Sequence, residues 1–330
     1  MTNQTINPFY QAKILTKPVI IASVVLAISM LLFMTLNANG NWDFVLPFRF
    51  YKLMALILVG VAIGVSTLLF QTLTHNPILT PALLGFDALY VLIQSVLVFA
   101  LGAVNIFTTQ PLLKFFLEIM LMVIASMLMF RLLFNEKQQN LSRLILVGII
   151  FGVLFRSLSS LIARLINPED FVVVQSASFA QFNTIDKTMM WVSLAICAVC
   201  LGAVWRWRHQ VDILMLGKSY AINLGIDYQK LALRLLIIIA ILVATATAFV
   251  GPVIFLGLLV CALTNKISQQ MYHTERLILV SLISVICLVL GQTIFEQVLG
   301  MAGVLAVVIE LFGGIVFIIL MLNRYKKAIA

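Results

Sequence analysis

Charge is scarce in this chain, and acid is scarcer still. Of 330 residues only 10% are Asp, Glu, Lys or Arg, and the 12 acids are outnumbered by 21 bases. A soluble domain carries about 25% charged residues, so this composition cannot build an ordinary water-facing fold. There are three histidines and four cysteines. The sequence holds no G-x-x-x-x-G-K-[ST] phosphate loop, no H-E-x-x-H pair and no cluster of metal-ligand residues. It therefore shows no evident catalytic apparatus of its own. Cys197 and Cys200 form a C-x-x-C, but they lie mid-way along an apolar run without a nearby His or acid, where packing is the reading; Cys261 and Cys287 also lie in apolar runs. His75, His209 and His273 are far apart in sequence, near predicted cytoplasmic ends, and read as loop residues.

Hydrophobic residues make up 63% of the chain. Since a span needs about 20 apolar residues, the length allows roughly ten spans and leaves no room for a sizeable soluble domain. The runs predict helices near 18–36, 48–73, 80–102, 111–134, 141–166, 188–205, 231–250, 253–270, 277–297 and 302–323. The expected fold is thus an all-α membrane protein with about ten transmembrane helices, in one transmembrane domain over residues 1–330. The first run resembles a secretory signal only superficially: it is long enough to span, lacks a small-residue cleavage site and is followed by more spans. Between the fifth and sixth helices, residues 167–187 alternate apolar and small polar positions and predict a short interfacial helix.

The basic residues set the orientation. With both termini cytoplasmic, fifteen of the 21 Lys and Arg fall on the cytoplasmic side and six on the other, as the positive-inside bias requires. An odd number of spans would put the basic tail at Arg324, Lys326 and Lys327 outside. The same bias accounts for the net charge of +9, so nucleic acid is not implied.

One long polar stretch interrupts the apolar runs, from Arg206 to Lys230, with Arg208 and Lys218 inside it and Asp212 and Asp227 as its only acids. It is too long for a simple turn. Ile213, Leu214 and Leu216 form an apolar cluster; Gly217 can stop one turn, Ser219 can cap the next and Gly225 can end it. A folded cytoplasmic loop of this kind reads either as a docking surface for a soluble partner or as a solvated connector.

Inside the spans, Gly60 and Gly64, and likewise Gly148 and Gly152, form small-xxx-small pairs that let helix backbones approach. Gly251-Pro252 can break a helix near the membrane surface. Intramembrane ionisable residues are costly and often functional; here they are Glu118, Arg156 and Glu310. Arg156, Ser160 and Arg164 share one helix face, beside Ser157 and Ser159. That face reads either as the wall of a wet pathway able to meet an anionic cargo, or as Arg164 snorkelling to the interface with Arg156 paired to Glu118 or Glu310. Asp87 and Glu296, near helix ends, read as solvated or capping.

Several stretches together resemble a known family, the membrane permeases of bacterial ABC importers for ferric siderophores, haem and vitamin B12. Arg49-Phe50-Tyr51-Lys52 leading into Leu58-Val59-Gly60 resembles the family's start of its second helix. Gln71 with Asn76-Pro77-Ile78-Leu79-Thr80-Pro81-Ala82-Leu83-Leu84-Gly85 resembles its Q…NPLA-P-x-LLG signature. Leu214-Met215-Leu216-Gly217 through Asn223-Leu224-Gly225-Ile226 is similar to its cytoplasmic loop. Gly251-Pro252-Val253-Ile254-Phe255-Leu256-Gly257-Leu258 and Gly313-Gly314-Ile315-Val316-Phe317 are similar to two later segments. The matches are collinear over nearly the whole chain.

The resemblance implies a type II importer permease like that for vitamin B12, in the bacterial inner membrane, paired with a second permease around a central pathway. Two ATPase subunits would bind the cytoplasmic loop, through Leu214, Leu216, Gly217, Leu224 and Gly225, and would hold the ATP and Mg; no cofactor or metal is expected in this chain. A substrate-binding protein, periplasmic or lipid-anchored, would dock outside against Arg49 and Lys52. Arg156, Ser160 and Arg164 would line the pathway. The sequence departs from the family at Cys261-Ala262 and Asn265, where a Pro-His pair and an Arg are usual, at Glu310, and in residues 175–183, which lack a common Gly-Ser. These differences favour a heterodimer of permeases over a homodimer. The implied cargo is an iron–siderophore complex, and the two arginines favour a negatively charged one such as a catecholate. A gradient-driven secondary transporter using Glu118 and Glu310 as proton sites is the rival reading.

Overall fold

A computed structural model describes residues 16–36, 42–102, 110–133, 141–268, 272–298, 300, 305–311, 313–315 and 318. The two termini, predicted cytoplasmic, lie outside the described residues. Eleven α-helices can be followed in order: α1 (Lys17–Thr35), α2 (Trp42–Thr74), α3 (Phe86–Leu101), α4 (Pro111–Leu133), α5 (Leu141–Ala163), α6 (Pro168–Ala177), α7 (Lys187–Leu214), α8 (Lys218–Asn223), α9 (Tyr228–Val250), α10 (Leu256–Ile267) and α11 (His273–Gln297). Further helical residues follow at 305–311 and 313–315. Among the described residues, seven helices are long and apolar enough to cross a membrane, and three shorter apolar ones, Phe86–Leu101, Leu256–Ile267 and Leu305–Ile315, bring the set to ten. That is the number the sequence predicts. The interfacial helix expected after the fifth span is α6.

The bundle is organised around α2, which is buried along most of its length. Its small residues explain the position. A Cβ on Gly60 or Gly64 would meet Ser284 of α11 at 3.2–3.3 Å, and the Ser284 hydroxyl donates to the Gly60 carbonyl at 2.5 Å. Gly257 of α10 leaves no room for a Cβ against Thr67 of α2. Close backbone approach of this kind supplies the van der Waals contact that must hold helices together where lipid is as apolar as the side chains. The outer faces of α1, α4, α5 and α7 are left apolar and exposed, at Ile21, Leu31, Ile124, Leu128, Ile150, Val153 and Val199 among others, as lipid-facing surfaces require.

Several boundaries differ from the sequence reading, among them the starts of α2 at Trp42 and α11 at His273, and two of the differences bear on the site. Residues 80–85 do not begin the third span. They form a single 3-10 turn (Ala82–Leu84) ended by Gly85 at φ +94°. Gly85 presses against Gly152 so closely that a Cβ on it would lie 2.8 Å from the Gly152 Cα, and Leu84 fills the space over Gly148. The small-residue pair on α5 thus receives this turn as well as α3. Thr74 ends α2, and the segment between is tied down by Gln71, whose Nε2 donates to the Pro77 carbonyl at 2.8 Å. The second difference is α7, which continues nine residues past the predicted end at 205, to Leu214. Arg206, Arg208 and His209 mark where the chain leaves lipid. They do not end the helix, because Arg is a good helix former.

The polar contacts between helices join ends that the charge bias places on the same side. Outside, Lys52 reaches Glu296 and Asn183, and the Gln181 N–H donates to the Val250 carbonyl at 2.7 Å. Inside, Thr16 donates to Glu275 at 2.7 Å and His273 meets Asp212 and Thr72.

Candidate functional site

On the outer side, Arg49 and Lys52 are both buried and bonded within the chain. Arg49 is 8% exposed, and its Nη1 donates to the Phe33 and Met34 carbonyls at 2.9 and 3.1 Å. It closes the C-terminal end of α1, where carbonyls lack helical partners and the helix dipole favours a cation. Lys52 is 3% exposed. Its Nζ lies 2.6 Å from Glu296 Oε1 and 3.1 Å from Asn183 Oδ1. Both cations, expected to contact a binding protein, are bonded within the chain in this structure. Glu296 is correspondingly half-buried and paired, not freely solvated.

Arg156 and Ser160 on α5 and Arg164 just past its end are exposed, and with Val153, Ser157 and Leu161 they line an open groove of about 430 Å³. The spacing on α5 does what the helical period predicts. The pairing of Arg156 with Glu118 does not form: Glu118 is buried, accepts from Gln94 and faces Lys114 at 3.6 Å. Two guanidinium groups and two hydroxyls therefore face an open space in an otherwise apolar surface. Such a wall can exchange hydrogen bonds and charge with an anionic solute passing along it.

On the cytoplasmic side, the end of α7 and the short α8 form a compact elbow. Gly217 takes φ +102° and stands as the cap of α8; Ser219, predicted to cap, lies inside that helix. Gly225 at φ +81° closes it, with its N–H on the Ile222 carbonyl and the Ile226 N–H on the Ala221 carbonyl, both 3.0 Å. This pair of bonds is the Schellman arrangement that a left-handed glycine permits. Asp227 then caps α9. The Lys230 ammonium and main-chain N–H beside it hold its carboxyl below the usual carboxylate range.

The elbow sorts the predicted docking residues. Leu214 is 1% exposed and packs in the core beneath the elbow, whereas Leu216 and Leu224 are 58% and 60% exposed. Tyr220 and Ile222, not singled out in the sequence, are exposed beside them. The α8 period separates the faces: Ala221 packs inward and its neighbours point away. The result is an apolar patch on a basic connector, of the kind that marks an interaction site.

One group of residues escaped sequence reading. His273 is not a loop residue. It is the first residue of α11, wholly buried, and bonded to Asp212 and Thr72. Nothing local signals this, because Asp212 is 61 residues away.

The chain matches the FecCD transport family over residues 14–323. It belongs to the FecCD transport family. Members are permease subunits of bacterial ABC importers, multi-pass proteins of the inner membrane, and this FecCD chain is one of them. It is 42% identical over 288 residues to the petrobactin import system permease protein YclO of Bacillus subtilis, covering 87% of this chain and 91% of that protein. It is 30% identical over 276 residues to the petrobactin import system permease protein FatC of Bacillus anthracis, covering 84% of this chain and 78% of that one. Its fold matches the inward-facing structure of a metal-chelate-type ABC transporter with a TM-score of 0.81 at 18% identity, over 92% of this chain and 98% of the other. Membership in FecCD takes precedence over the gradient-driven reading.

Proposed function

We propose that this FecCD permease carries an anionic ferric siderophore of catecholate type across the inner membrane, driven by ATP hydrolysis in partner chains. The observation that carries the reading is the exposed stripe of Arg156 and Ser160 on α5 with Arg164 just past its end. Cations on a lipid-depth surface are expensive unless they meet water, a partner or a charged solute. Two relatives named as petrobactin permeases support an iron–siderophore cargo.

A second permease faces this stripe and completes the pathway. The departures at Cys261-Ala262, Asn265 and Glu310 favour a non-identical partner. Two ATPase subunits, holding ATP and Mg, seat on the patch of Leu216, Tyr220, Ile222 and Leu224, with Gly217 and Gly225 shaping it. A binding protein delivers cargo from outside, to outer surfaces other than Arg49 and Lys52. This chain performs no hydrolysis; it alternates access as the ATPase pair closes, a two-state change biased by differential contacts.

The test is uptake of iron-loaded siderophores by cells lacking this chain. Loss of uptake for an anionic catecholate complex, restored by the native chain and not by Arg156→Gln with Arg164→Gln, is expected. Unchanged iron uptake in the deletion strain, or full rescue by the double variant, sinks the reading.

A further inference from the structure

The cytoplasmic ends of α2, α7 and α11 meet at one buried polar node. Asp212 lies in the last turn of α7, beyond the basic residues that mark the membrane surface. Its Oδ1 accepts the main-chain N–H of His273 at 2.6 Å and the Nδ1–H of the same residue at 2.8 Å. The His273 ring is wholly buried. Its Nε2 lies 2.9 Å from the Thr72 hydroxyl oxygen, in the last turn of α2; with Nδ1–H given to Asp212 the Nε2 accepts, and the one Thr72 proton serves either it or the Leu68 carbonyl, also at 2.9 Å.

The arrangement is a helix cap supplied from another helix. Tyr272, at the N-cap of α11, offers no side-chain cap. The first amides of a helix have no intrahelical acceptor, and the dipole there favours negative charge. Asp212 meets both needs from α7. The other charged groups nearby have their own contacts. His209 lies 3.9 Å from the second Asp212 oxygen, Arg276 bonds Asn265 and Met215, and Glu275 accepts from Thr16 and Ser268.

We propose that Asp212 is a positioning residue for transport. It locks the inner end of α7 to α11 and α2, so that a displacement of the elbow at Gly217–Gly225 reaches two core helices together. The place where force enters rests on the docking reading above; the lock itself stands on its own geometry. Packed apolar side chains can slide past one another. A carboxylate bonded at once to a main-chain N–H and a buried ring cannot slide without leaving both unpaired, which is costly in a dry site. The node sits only five residues before Gly217, and through Thr72 it reaches α2, against which α1, α7, α9, α10 and α11 pack.

The experiment uses the full importer, with its ATPase and binding-protein partners, in proteoliposomes. Asp212→Ala is compared with Asp212→Asn, which still offers an oxygen to the His273 N–H, and with Leu216→Asp on the exposed patch. Three quantities are read: ATPase subunits bound per permease, basal ATP hydrolysis, and hydrolysis and uptake stimulated by loaded binding protein. Asp212→Ala should keep its ATPase subunits and basal hydrolysis but lose stimulation and uptake by roughly tenfold, within the 5–150-fold that such couplings span. Asp212→Asn should recover most of that loss. Uptake near the native rate in Asp212→Ala overturns the proposal. So does an equal loss in the Asn variant, or release of the ATPase subunits by Asp212→Ala. If Asp212→Ala does not reach the membrane, His273→Asn decides by the same readings. It keeps the main-chain cap and cuts the bridge to Thr72, and native coupling in it overturns the lock. Leu216→Asp that retains its ATPase subunits counts against the docking reading alone.

Discussion

Lys52 Nζ stands 2.6 Å from Glu296 Oε1, joining the outer ends of two helices 244 residues apart in the chain. The pair is nearly sealed from solvent, and the Phe48 ring lies 4.7 Å from the same ammonium. Removing one member strands the other charge. Lys52→Ala should therefore cost about 3 kcal/mol, as breaking buried pairs does, while the apolar double variant Lys52→Met with Glu296→Leu should recover much of it. Thermal unfolding of the purified protein in detergent gives both values. Binding-protein affinity of the folded fraction should be unchanged in the double variant; a large drop there would return Lys52 to the docking surface.

Gly85→Ala should be among the most damaging single substitutions. It adds left-handed strain at φ +94° to a Cβ placed 2.8 Å from the Gly152 Cα, for a combined cost of about 2–4 kcal/mol. Gly217→Ala meets open space, but at φ +102° and ψ 163°, a region essentially reserved for glycine, and should cost about 1–3 kcal/mol from backbone strain alone. Comparing the two in the same unfolding assay separates backbone strain from close packing.

Arg156→Gln with Arg164→Gln should leave stability within about 0.5 kcal/mol of native, since both side chains are exposed. Uptake of an anionic ferric complex should fall by roughly tenfold, equivalent to about 1.4 kcal/mol of lost attraction. A neutral chelate carried by the same importer should be spared. Equal losses for both cargoes would mean that the arginines act on the protein and not on the solute.

Leu214 and Leu216 are two residues apart and face opposite environments. Leu216→Asp, or Leu224→Asp, should yield a folded permease that no longer retains its ATPase subunits on co-purification. Leu214→Asp should not fold, since an unpaired charge in that core costs more than about 4 kcal/mol. A folded Leu214→Asp protein would show that the elbow detaches from the bundle.

The spans were legible because lipid imposes a simple rule on composition, and the small-residue pairs at Gly60–Gly64 and Gly148–Gly152 showed where backbones close up. Sequence could place Arg49 and Lys52 at the outer end of α2. It could not show that the Phe33 carbonyl and Glu296 consume them, because those partners arrive through the tertiary fold. For the same reason His273 looked like a loop residue. The end of α7 was misplaced because charge reports departure from the bilayer, whereas a helix stops only when its backbone is capped or broken; here that happens at Met215 and Gly217. The stripe on α5 was readable from the helical period alone.

The continuity of α7 has a mechanical corollary. Its 28 residues make a rod of about 42 Å, longer than the roughly 30 Å of hydrocarbon it crosses. A stiff beam pivoting near its midpoint by about 5° swings its tip sideways by about 2 Å. A push delivered at the elbow need not bend anything within the lipid to be felt near the far membrane face, and a small lean at one end returns as an opposite lean at the other.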